Sequence, residues 1–90
     1  MKRLEATVIG KVQGVYFRAS TKKVAKTLNL VGYVKNQLDG SVFLEAQGEE
    51  EDLETLVKWL KKGPSNAEVF DVRCEYLEEL EQYNKFEILR

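Results

Sequence analysis

Apolar and polar positions alternate over the first dozen residues. Leu4, Ala6, Val8, Gly10 and Val12 fall on even positions, against Glu5, Thr7, Ile9 and Lys11 on odd ones. A period of two marks a strand with one buried face, so Leu4 to Val12 is read as the first strand. The period then changes. From Arg18 to Leu30 there is no Gly or Pro, and Thr21, Val24, Ala25 and Leu28 recur at helical spacing with Lys22, Lys23 and Lys26 to the outside. Asn29 and Gly32 bracket the end of this first helix, both being residues that tolerate a left-handed exit.

Two short β-prone runs follow, Gly32 to Leu38 and Ser41 to Gln47, separated by Asp39-Gly40, a pair suited to a two-residue type I′ hairpin turn. After Gly48, four acids from Glu49 to Asp52 match the positive start of a helix. Leu53, Leu56, Val57 and Leu60 then repeat at i, i+3, i+4 and i+7. Lys58, Lys61 and Lys62 and then Gly63-Pro64 mark the end of this second helix. Ala67 to Tyr76 reads as a strand in which Val69 falls out of phase, which places a bulge near Phe70. Leu77 to Tyr83 is either a continuation of that strand or an irregular connection, and Phe86 and Ile88 alternate in a short last strand.

The order β-α-β-β-α-β plus a short C-terminal strand predicts an α+β sandwich of ferredoxin-like, split βαβ type: an antiparallel sheet with both helices on one face. Ninety residues are enough for one core and too few for two, so residues 1–90 are read as a single domain. About fifteen apolar side chains would fill that core. Trp59 and Tyr33 are assigned to packing, Cys74 to a small buried inward position, and Glu78 to Glu81 to solvated surface.

Composition narrows the chemistry. The chain has no histidine and one cysteine, which removes the usual general base, the Cys–His nucleophile pair and the common zinc sites. A net charge of −1 and a pI near 5.5 disfavour nucleic acid as a partner. The basic start, Met1-Lys-Arg, has no apolar run of signal-peptide length behind it, and no segment reaches membrane-spanning length. With the lone cysteine, that reads as a cytoplasmic chain with no membrane partner.

The one stretch that suggests chemistry is Gly10-Lys-Val-Gln-Gly-Val-Tyr-Phe-Arg18, lying between the first strand and the first helix. Glycines there let successive N–H groups turn toward one point, and a starting helix adds its own unpaired donors, so an anion cradle beside Arg18 is expected. The spacing alone is a weak signal. Val15 stands where a phosphate loop would need glycine, and no Lys-Ser/Thr follows, so a plain glycine-bearing connection fits as well. Lys22, Lys23 and Lys26 are read as a solvated helix face.

Read together, Gly10-x-Val12-Gln13-Gly14-Val15-x-Phe17-Arg18, Gly32-Tyr-Val-Lys-Asn36, Asp39-Gly40-Ser-Val42, Gly48, Gly63-Pro64-x-x-Ala67-x-Val69 and Phe86-x-Ile88 resemble the acylphosphatase family over nearly the whole chain. The resemblance implies hydrolysis of the carboxyl–phosphate bond of small acyl phosphates by in-line attack of water, with no metal and no cofactor. It assigns phosphate binding to Arg18 and to the backbone amides of Gly14, Val15, Tyr16, Phe17 and Arg18, and orientation of the attacking water to Asn36. Tyr16 and Ala19-Ser20 stand where the family varies. It further implies a monomer, with inorganic phosphate as product and inhibitor.

The residue chemistry is compatible with this. A carboxylate leaves readily, so no strong acid or base is required, and Asn36 can fix a water that it could never deprotonate. Two other classes remain open from sequence: a phospho-ligand-binding or regulatory module of the same fold, and an RNA reader using Tyr33 on the sheet.

Overall fold

The computed structural model describes residues 1–89. Its elements are β1 (Lys2–Lys11), α1 (Phe17–Thr27), β2 (Val31–Asn36), β3 (Val42–Gly48), α2 (Glu50–Lys62), β4 (Glu68–Leu77) and β5 (Phe86–Leu89). They form one five-stranded sheet in the order β4-β1-β3-β2-β5. The three pairings β1–β3, β1–β4 and β2–β3 are antiparallel as expected, but β5 runs parallel to β2, so the sheet is mixed. The reason is the chain's route: residues 78–85 cross from one edge of the sheet to the other and deliver β5 in the same direction as β2.

The expected core is present. Leu4, Ala6 and Val8 of β1, Val34 of β2 and Val42, Leu44 and Ala46 of β3 are buried on the face that receives Phe17 and Ala25 of α1 and Leu53, Leu56 and Leu60 of α2. Acids Glu50, Glu51 and Asp52 occupy the first turn of α2 and Lys61 and Lys62 its last, which opposes the helix dipole at both ends. Asn29 adopts the left-handed φ of 57° just past α1, and the Leu30 amide turns back to the Ala25 carbonyl at 2.9 Å, which closes the helix. Among the described residues no helix is long and apolar enough to cross a membrane.

Three local expectations need correction or completion. The β2–β3 turn is not a two-residue type: the Gln37 amide reaches the Ser41 carbonyl at 2.8 Å and the Gly40 amide the Gln37 carbonyl at 3.1 Å, around Leu38, Asp39 and Gly40. A type I′ turn needs positive φ at both central residues. Here only Gly40 has it, while Asp39 instead accepts hydrogen bonds from the Ser41 amide and hydroxyl. The bulge near Phe70 is real, since Ile9 pairs with Asp71 and Gly10 with Val69, leaving Phe70 unmatched. Gly10 is required there: a Cβ would sit 2.1 Å from the Glu68 carbonyl oxygen. Cys74 keeps its inward phase opposite Ala6 but is exposed, because β4 is an edge strand that α2 only partly covers.

Residues 78–85 are the irregular alternative for the ambiguous acidic segment, and they form a strap across the sheet face that the helices leave open. Arg3 Nε donates to the Glu79 carbonyl, and the Gln47 side chain both donates to the Glu81 carbonyl and accepts from its amide. Beneath the strap, Glu45 accepts from Arg3 Nη1 at 3.1 Å, from the Tyr33 hydroxyl at 3.2 Å and from the Tyr83 hydroxyl, with the Tyr33 and Tyr83 rings edge to face. Glu78, Glu79 and Glu81 are exposed, as expected; the backbone of Glu79 and Glu81 does the fastening.

Burial opposes ionisation of Glu45, but the bonds from Tyr83, Arg3 and Tyr33 outweigh it and hold the carboxyl below its ordinary value of 4.5. Burial and Glu45 push Tyr33 up to about 12. Glu5, which shares Arg3, moves the other way, because burial and the nearby Glu45 raise it. A depressed carboxyl contributes stability above its unfolded value and loses it as pH falls through the folded one. Amide protection factors in the strap should therefore hold through neutral and mildly acid pH and fall only below 4.5, the ordinary glutamate value. Glu45→Gln should remove that acid step; an unchanged step in the variant assigns it to another group.

Candidate functional site

The C-terminal ends of β1, β2 and β5 and the start of α1 meet at one end of the sheet, opposite the end the strap covers. β1 stops at Lys11, Val12 still points into the core, and residues 13–16 turn the chain into α1. Two left-handed residues make that turn, Gly14 at φ 75° and Tyr16 at φ 62°. Tyr16 is the N-cap residue and offers no side-chain cap, and no acid lies in the first turn of α1. Among the described residues, the amides from Gly14 to Arg18 have no acceptor within the chain. A row of N–H groups without partners, at the positive end of an eleven-residue helix, is chemically suited to receive an anion.

The loop is held from two sides. Phe17 is buried and meets Trp59 of α2 with ring centroids 5.5 Å apart, which anchors the first helical residue. On the other side the Gln13 side chain donates to the Gln37 carbonyl at 2.7 Å and the Ser41 carbonyl at 2.9 Å. This ties the loop to the β2–β3 hairpin immediately after Asn36, so loop and hairpin keep a fixed separation. Sequence reasoning noted Gln13 within the motif and gave it no task; its acceptors are backbone carbonyls, which have no side-chain signature.

Arg18 and Asn36 line the same cleft, of about 370 Å³, together with Gly14, Tyr16, Phe17 and Ile88. Arg18 lies in the first turn of α1 and donates through Nη1 to the Leu89 carbonyl at 3.0 Å, which aims the guanidinium across the cleft mouth. No carboxylate of the described residues is within ion-pair distance of it, so its charge is not neutralised internally. Asn36 is the last residue of β2, on the same face as the buried Val34 but past the helices' cover. Its amide has no partner in the chain among the described residues.

Of the five residues expected to give amides, Gly14, Tyr16, Phe17 and Arg18 border the cleft. The Val15 side chain does not; it packs against the core. Tyr16 stands 80% exposed at the rim. Trp59 and Tyr33 both pack, as expected, and Tyr33 lies beneath the strap with its hydroxyl on Glu45.

The acylphosphatase family model matches residues 4–88. The chain belongs to the acylphosphatase family. An acylphosphatase of Acaryochloris marina is 46% identical to it over 97% of this chain and 92% of its own. The crystal structure of acylphosphatase from Bacillus subtilis superposes with a TM-score of 0.97 at 34% identity, covering all of both chains. That of an acylphosphatase from Coxiella burnetii gives 0.93 at 42% identity, over 98% of this chain and 92% of that one. The span matched by the family model takes in the whole loop from Gly10 to Arg18, the hairpin with Asn36 and β5 as far as Ile88.

Proposed function

We propose that this protein hydrolyses the carboxyl–phosphate bond of small acyl phosphates in the cleft between Arg18 and Asn36. Acylphosphatase activity is what the family and the solved neighbours support. The observation that carries the site assignment is the convergence of an unneutralised arginine, a row of amides without acceptors and an unpartnered asparagine on one cleft.

The phosphoryl oxygens take the amides of Gly14 to Arg18 and the Arg18 guanidinium. Asn36 accepts a hydrogen bond from a water and holds it in line with the acyl oxygen. The water oxygen bonds to phosphorus as the P–O bond to the acyl group breaks. The bonding pair leaves on the carboxylate, and the water's proton passes to solvent or to the phosphate released. Catalysis then rests on positioning and on charge stabilisation of a loose transition state, which fixed donors in a shaped cleft supply without a metal or cofactor.

Inorganic phosphate, offering the same oxygens, is a product inhibitor on this reading. The protein acts as a cytoplasmic monomer without nucleic acid. A non-catalytic phospho-ligand module is not favoured, because relatives named acylphosphatase are matched along 88% or more of their own length.

The decisive assay is release of phosphate from benzoyl phosphate. Turnover should be unaffected by EDTA and nearly flat across neutral pH, since the chain has no histidine. A bell-shaped profile centred near pH 7, or inactivation by chelation, would return attention to the carboxylates.

A further inference from the structure

The seam between α1 and β5 holds two clefts. One contains Arg18 and Asn36. The other, of about 340 Å³, opens further along, between the last turns of α1 and the start of β5. Its floor is apolar, with the buried Leu30 and Phe86. Its rim carries Lys22, Lys26 and Lys85, with the amides of Asn29 and Asn84 between them.

No carboxylate of the described residues is within ion-pair distance of any of these lysines, and neither asparagine side chain has a hydrogen-bond partner among them. Glu87, the nearest acid along β5, is registered with Tyr33 and so faces the strap side of the sheet. In a chain of net charge −1, three cations converging on one hollow reverse the local sign. Arg18, Lys22 and Lys26 lie at i, i+4 and i+8, one row along α1, whereas Lys23 is off that row. At 1.5 Å per residue, Lys26 stands about 12 Å from Arg18 along the axis, too far for one phosphate to engage both.

We propose that this second cleft is a non-catalytic binding site for a small amphipathic anion, a phosphate monoester of an apolar alcohol. Its apolar body would lie along the methylene stems of Lys22, Lys26 and Lys85, over the small exposed edges of Leu30 and Phe86, with its phosphate oxygens shared by the lysine ammonium groups and the asparagine amides. Flexible surface lysines hold a bare phosphate weakly, so this apolar contact is what selects an organic ester.

The test is a titration of isotope-labelled protein with 1-naphthyl phosphate, followed by heteronuclear NMR in saturating inorganic phosphate and repeated on Arg18→Ala. In both, saturable shifts are expected at the amides of Lys22, Lys26, Asn29, Val31, Lys85 and Phe86. The K22Q/K26Q/K85Q variant should bind about tenfold more weakly, with thermal midpoint and benzoyl phosphate hydrolysis unchanged. Shifts confined to Gly14–Arg18, shifts that grow without saturating, or equal affinity in the triple variant would each overturn the proposal. The catalytic reading is judged separately, by hydrolysis in Arg18→Ala, so either can fail without the other.

Discussion

Arg18→Ala is expected to lower kcat/KM for benzoyl phosphate about 10³-fold or more and to weaken inhibition by inorganic phosphate in parallel. The reason is concentration of function. Among the cleft residues Arg18 alone carries a full positive charge, and a transferring phosphoryl group spreads negative charge over three oxygens as the leaving bond stretches. The amides of Gly14 to Arg18 would remain, so binding of phosphate should be weakened rather than lost. Arg18→Lys should recover little, because an ammonium cannot donate to the Leu89 carbonyl and to the phosphate from one planar fork as the guanidinium does. The variant should fold normally: Arg18 is only half-buried, and its side chain makes one intrachain hydrogen bond among the described residues. Hydrolysis within a few-fold of the parent protein would remove Arg18 from the site.

Asn36→Ala should act on a different parameter, with kcat falling about 10²-fold and KM nearly unchanged. An asparagine that positions water contributes to the transition state and little to ground-state binding of the phosphate, and an interaction of that kind appears in kcat. The geometry favours a clean result. Asn36 ends β2, pairs with Val42 through the backbone, and has a side chain free of structural duties among the described residues. Alanine there should leave the hairpin intact, held as it is by the Gln37–Ser41 and Gln13 bonds. A large rise in KM with kcat preserved would instead place Asn36 among the phosphate ligands.

The elements with strong periodicity were fully legible. Leu53, Leu56 and Leu60 are buried where their spacing puts them, and Leu4, Ala6 and Val8 line one face of β1. Burial pattern is written in side-chain chemistry, and side-chain chemistry is what a sequence states. The out-of-phase Val69 located the bulge at Phe70 for the same reason. The turn at Asp39-Gly40 is legible in place but not in type, since Asp39 can satisfy either geometry and its bonds to Ser41 select one. The exposure of Cys74 is not legible, because phase reports which way a side chain points and not whether anything covers it.

The sequence by itself determined the five strands and two helices, the face each presents to the core, and the membership of Arg18 and Asn36 in a resemblance spanning nearly the whole chain. Tertiary structure alone decided that β5 runs parallel to β2, that the acidic segment 78–85 straps the open face, and that the Leu89 carbonyl and the Gln13 amide set the positions of Arg18 and the hairpin. The division has a physical cause. Local pattern records what a residue prefers to be near, whereas those contacts are made to backbone groups every residue carries, across separations of 71 and 24 positions, and only the folded path brings them together.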